Sequence, residues 1–160
     1  MRKPEAALLA TATVLAAALI GSRWRPSPDE PANIAWYASL QKPAFRPSGA
    51  TIGIAWTGLD ILMAYAGTRL LAAPPTRSRT TALAAWATAV SGLAAYPFLM
   101  FGQRRLGAAL ASVVGMQAAT ITAVGAAASV DKRAAAALLP LTAWLTLAGI
   151  LQEEIWRHNR

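Results

Sequence analysis

Aromatic, cationic and proline residues crowd into one stretch, Trp36 to Met63, more densely than anywhere else in the chain. Trp36, Tyr37 and Phe45 offer ring faces for stacking, and Lys42 and Arg46 stand beside them as partners for an anionic group. The same residue types serve plainer purposes in a membrane protein: tryptophan and tyrosine form a belt at the bilayer surface, and long cations snorkel toward it. Trp56 follows within an apolar run, and Asp60 lies four residues later on the same helical face. A carboxylate inside an apolar helix is costly, so it marks either a functional contact or an interhelical hydrogen bond. It is expected to be protonated or to bond Gln117 or Gln152, the polar groups within later apolar runs. Trp144 adds an aromatic side chain within the last of those runs.

Five apolar runs position these residues, each near the 20 or so residues that a hydrocarbon core demands. They cover about residues 5–22, 50–72, 80–101, 106–128 and 134–158. The predicted fold is an all-α integral membrane protein, a single domain over 1–160. It is a bundle of five transmembrane helices with an ordered loop, 23–49, between helices 1 and 2. That loop carries five of the ten prolines, Pro26, Pro28, Pro31, Pro43 and Pro47, and is expected to form turns. It is longer than a compact connection needs, as functional loops often are. The first run ends in Gly21-Ser22-Arg23 without a small-x-small cleavage pattern, which predicts a retained helix rather than a signal peptide.

Pro97 is expected to kink the third helix and Asp131 to cap the fifth. Short turns predict that helices 2 to 5 are antiparallel neighbours. Ala84, Thr88 and Gly92 on helix 3, and Gly107, Ala111 and Gly115 on helix 4, form ladders of small residues suited to close helix contact. Such contact serves the bundle itself or a homodimer. Trp86 reads as packing or lipid-facing, Trp24 and Trp156 as belt or anchor residues near helix ends, and Glu153 and Glu154 as partners of Arg157.

Composition excludes several function classes. Hydrophobic residues make up 56% of the chain, charged residues 14%, and the mean hydropathy is +0.40. A soluble domain is about half apolar and about a quarter charged. The net charge is +8, yet the 15 Lys and Arg sit in loops and at the termini, which predicts anionic lipid headgroups rather than nucleic acid as their surroundings. Seven fall on one expected side of the membrane and eight on the other, so they carry no orientation bias. Without cysteine there is no disulfide or thiolate chemistry. The single histidine, His158, argues against a histidine metal cage or a Ser-His-Asp triad, so no metal site and no required cofactor is expected.

The pattern Trp36-Tyr37, Leu40, Lys42-Pro43, Phe45, Pro47, then Trp56-Thr57, Leu59 and Met63, resembles the translocator protein family, the TspO or tryptophan-rich sensory proteins related to the peripheral benzodiazepine receptor. Phe101-Gly102, the group Pro140, Ala143 and Trp144, and the closing Ile155-Trp156-Arg157-His158-Asn159 extend the resemblance along the whole chain. Aromatic or Asn positions of the family pattern are here Asp60, Leu93, Tyr96, Gln117, Leu141 and Gln152, which marks a divergent member. The resemblance implies a membrane protein, sensory or regulatory in role, that binds tetrapyrroles such as protoporphyrin IX or haem, or sterol-like ligands. The implied ligand-binding residues are Trp36, Tyr37, Lys42, Phe45, Arg46, Trp56, Asp60 and Trp144. It also implies two alternatives: light- and oxygen-dependent porphyrin breakdown, with Trp56 and Trp144 as the catalytic residues, or a transporter or partner subunit. A bacterial cell envelope is the implied location.

Overall fold

The structure, a computed structural model, covers Met1–Arg160. Its helices are α1 (Lys3–Ser22), α2 (Pro31–Ser39), α3 (Gly49–Ala72), α4 (Arg77–Pro97), α5 (Leu106–Ala128) and α6 (Lys132–His158). A π-helical turn, Phe98–Gly102, extends α4. All but α2 are long and apolar enough to cross a membrane. The spans therefore follow the apolar runs to within a few residues.

Local chemistry sets their ends. Ser48 and Thr76 each accept a hydrogen bond from an amide three residues on, at 3.1 Å, and so cap α3 and α4. Asp131 caps α6 by accepting from the amides of Arg133 and Ala134. The Arg79 guanidinium donates to the carbonyls of Leu70 and Leu71 in the last turn of α3, where carbonyls run short of amide partners.

The connection 23–49 departs from the expected run of turns, because α2 occupies its centre. Pro31 stands in the first turn of α2, where a missing amide costs nothing, so the prolines start this helix rather than prevent it. Asn33 donates from Nδ2 to the Trp24 carbonyl at 3.0 Å and ties α2 to the end of α1.

The five spans form a closed ring in the order α3, α1, α4, α5, α6 and back to α3. The expected neighbour pairs α4–α5 and α5–α6 are present, whereas α1 stands between α3 and α4 along most of their length. α3 and α4 meet where the Trp86 indole fills a notch at Gly67 and donates to the Met63 carbonyl at 2.9 Å. Elsewhere α1 packs on both of them. Its buried face is Ala6, Ala10, Val14 and Gly21, small enough for close backbone approach. Gly21 lies directly against the Leu93 carbonyl of α4. Four residues on from Leu93 stands Pro97, which has no amide to offer that carbonyl.

Of the two ladders of small residues only Gly92 is buried within the ring. Gly92 packs on Met116 and Gly107 on Trp156, whereas Ala84, Thr88, Ala111 and Gly115 face outward. Trp24 packs edge-on against Phe98 and lies over Gly102.

At the end opposite α2 the bundle closes on alanine and leucine: Ala66, Leu70, Ala82, Ala127, Ala134 and Leu138 are all buried. An ion pair seals this end, with Arg69 Nη2 2.6 Å from Asp131 Oδ2. The hydrogen bond from Arg69 holds the Asp131 carboxyl below its ordinary pKa. A lowered native pKa adds stability that is present above the unfolded value, about 3.9, and is lost as the pH falls through the native value. Asp131→Asn keeps a capping oxygen but removes the charge. It is expected to cost about 1 kcal/mol at neutral pH, since the pair is partly exposed, and to flatten the acid limb of thermal stability between about pH 5 and 2. Melting curves of both proteins across that range check this.

Candidate functional site

The half of the ring nearer α2 does not close on itself. It encloses a cavity of about 360 Å³, within the range of small-molecule sites. α3 contributes Gly49, Gly53 and Trp56, at helical spacing on one face. α6 contributes Trp144, Ala148, Gln152 and Ile155, again one face. α4 adds Gly92, Leu93, Tyr96 and Pro97, and α5 adds Val113 and Met116. Glycine and alanine at these positions leave the room that the aromatic residues border.

At the base, Trp56 and Trp144 meet edge to face with ring centres 6.4 Å apart. The Trp144 Nε1–H is buried without a hydrogen-bond partner. Trp144 and Leu147 also floor a shallow outward groove bordered by Ile54, Gly58 and Pro140. One layer of side chain therefore separates the cavity from the outer surface there.

At the mouth, Tyr37 stands edge-on to Phe101, with ring centres 5.5 Å apart. The Arg46 guanidinium lies 5.7 Å from the Tyr37 ring centre. Arg25 joins the rim from the segment between α1 and α2. Two arginines thus border a largely apolar, aromatic chamber, the arrangement that suits an apolar body carrying acidic groups.

Of the residues expected at a site, Tyr37, Arg46, Trp56 and Trp144 line the cavity. The others lie around it. Trp36 packs edge-on against Phe101 and beneath the Arg104 guanidinium. Phe45 is 56% exposed and points away. Lys42 folds back on its own loop, where Nζ donates to the carbonyls of Tyr37 (2.5 Å), Leu40 (2.6 Å) and Ala38 (3.2 Å). All three of its hydrogens are engaged, so it holds Tyr37 in place instead of facing the chamber. Burial, with the nearby Arg46 charge, lowers its pKa.

Asp60 sits one turn beyond Trp56 and does not line the cavity. Neither expected glutamine reaches it. Gln117 donates to Thr146 and Gln152 accepts from Tyr96, each within its own layer of the bundle, and Asp60 Oδ1 is buried without a partner.

Arg25, Tyr96, Phe101 and Gln152 border the cavity without having been expected there. The spacing of Trp144, Ala148 and Gln152, four residues apart each time, was the available signal for Gln152. Arg25 had none, because only the α2 fold brings it over the chamber.

The loop after α2 is also fastened from the far end of the chain. Asn159 accepts from the Gln41 amide and donates to the Gln41 carbonyl, both at 2.9 Å, as a peptide group would. Its Nδ2 also donates to the Ile155 carbonyl at 2.8 Å. Asn159→Ala is expected to destabilise the protein by about 1–2 kcal/mol and to speed hydrogen exchange at the Gln41 amide and through residues 40–46. Asn159→Asp, which keeps the acceptor, should fall between. Peptide-resolved exchange measurements check the order.

The family model for TspO/MBR proteins matches residues 8–157. The chain is 33% identical over 130 residues to the translocator protein of Bos taurus, covering 78% of this chain and 75% of that one. It is 29% identical over 126 residues to the protein CrtK of Rhodobacter capsulatus, covering 78% and 79%. It is 30% identical over 132 residues to the tryptophan-rich sensory protein of Cereibacter sphaeroides, covering 82% and 78%. With five apolar spans in a closed ring, and a family match that runs from α1 to the end of α6, the chain belongs to the TspO/MBR family.

Proposed function

We propose that this integral membrane protein binds a flat, acid-bearing hydrophobic ligand of the tetrapyrrole type in the cavity beneath α2, in a sensory or regulatory role. One observation carries the reading: two guanidinium groups, Arg25 and Arg46, border a chamber walled by Tyr37, Phe101, Trp56 and Trp144. An apolar ring fits between the aromatic side chains, and two carboxylates would meet the two cations. A neutral sterol would leave both guanidinium groups unmatched, so the acid-bearing ligand is favoured. The similarity to CrtK and to a tryptophan-rich sensory protein, both from bacteria, supports placing the protein in a bacterial cell-envelope membrane.

The test is titration of the purified protein in lipid nanodiscs with protoporphyrin IX. Saturable quenching of tryptophan fluorescence is expected, with Trp56 and Trp144 as the nearest indoles. Absence of saturable quenching overturns the proposal. The same sample, illuminated in air, separates holding from breakdown. A stable Soret band fits a binding protein, whereas bleaching abolished by Trp56→Phe or Trp144→Phe makes the protein an enzyme.

A further inference from the structure

Tyr96 and Gln152 meet in the wall of the cavity, and their hydrogen bonds dictate where each polar hydrogen points. Gln152 is 1% exposed. Its Nε2 lies 3.1 Å from the Leu106 carbonyl oxygen and 3.6 Å from the Met100 sulfur, and its Oε1 lies 2.9 Å from the Tyr96 hydroxyl. A carbonyl oxygen only accepts, so Leu106 requires the NH₂ side of the amide. Turning the amide over would set two carbonyl oxygens against each other. Oε1 therefore faces Tyr96, and because it too only accepts, the Tyr96 hydroxyl spends its single hydrogen on Gln152. What the Tyr96 oxygen has left to offer the cavity is a lone pair.

We propose that Tyr96 is a specificity-determining residue that selects ligands presenting a hydrogen-bond donor, a ring N–H or a hydroxyl, beside it, and disfavours the same shape with an acceptor there. The inference rests on the cavity being the ligand site. Pro97, Phe101 and Ile155, which also line the cavity, offer a ligand no side-chain donor or acceptor in exchange. A buried acceptor facing another acceptor leaves both without a hydrogen, a mismatch costlier than a missing contact.

Two flat tricyclic acids of one shape test this. A carbazole carboxylic acid presents a ring N–H, and the corresponding dibenzofuran carboxylic acid presents a ring oxygen. Titrated calorimetrically into the protein in nanodiscs, the carbazole is expected to bind about tenfold tighter or more. Tyr96→Phe should abolish the difference. Gln152→Met releases the Tyr96 hydrogen, so the dibenzofuran should gain and the gap should narrow while the carbazole still binds. A merely structural role for Tyr96 would weaken both acids alike. Equal affinities in the unaltered protein, or a gap that survives Tyr96→Phe, overturns the inference. If neither acid binds while protoporphyrin IX does, the inference falls and the cavity reading stands. If none of the three binds, both fall.

Discussion

Gly21→Ala will lower the melting temperature by several degrees and weaken ligand binding with it. A Cβ built on Gly21 lies 2.1 Å from the Leu93 carbonyl oxygen, 3.1 Å from its carbon and 3.2 Å from Pro97 Cγ. The obstacle is backbone, so it cannot swing aside as a side-chain tip would, and α1 must move away from α4. Overpacking of this kind costs about 1–3 kcal/mol. Leu93 and Pro97 both line the cavity, so the displacement reaches the site. Gly58→Ala and Gly115→Ala are the controls. Nothing lies within 4 Å of a Cβ at either position, and alanine is the better helix former by about 1 kcal/mol. Thermal unfolding of the three variants in one detergent should put Gly21→Ala well below the protein and the controls at or above it. Three equal curves would dismiss the close contact between α1 and α4.

The second large effect concerns the mouth. Arg25→Gln with Arg46→Gln is expected to weaken protoporphyrin IX binding about 100-fold, roughly tenfold for each charge-assisted hydrogen bond removed. The dimethyl ester of the same ring, which has no carboxylates, should bind the variant and the unaltered protein within about twofold. Raising the salt concentration should narrow the gap for the diacid, because the mouth is open to solvent. Quenching titrations with both ligands decide the matter. An equal weakening for acid and ester would mean that the loop itself had been displaced, and the guanidinium pair would lose its assigned role.

The five spans could be read directly because an apolar run near 20 residues has one stable use in a bilayer. The order of helices around the ring could not. Sequential neighbours are the default for short turns, and what overrides it is a contact between Gly21 and the Leu93 carbonyl, 72 positions apart in the chain. In the site, Trp56 and Trp144 were legible as aromatic residues on the faces of long helices. Lys42 and Phe45 show the opposite case. Residue type left a belt role open and the resemblance implied ligand contact, but the loop turns Phe45 outward and draws the Lys42 ammonium onto three of its own carbonyls. A lysine amid unpaired carbonyls finds them first, and no pattern of spacing announces that. Arg25 was hidden for the complementary reason. Five prolines suggested an ordered loop of turns, whereas α2 folds as a helix and is tied to the end of α1 above the chamber.

The seam between α3 and α4 bears on how anything held in the chamber can leave. Trp86 is wedged into the notch at Gly67 and pinned to the Met63 carbonyl, and beyond it the bundle is a plug of alanine and leucine tied off by Arg69 and Asp131. The chamber is blind-ended. The chamber opens beside α2, and at the opposite end the packed bundle closes it. Opening that seam would withdraw a buried indole and leave its N–H without the Met63 carbonyl. In this closed ring the protein has the shape of a vessel with one lip.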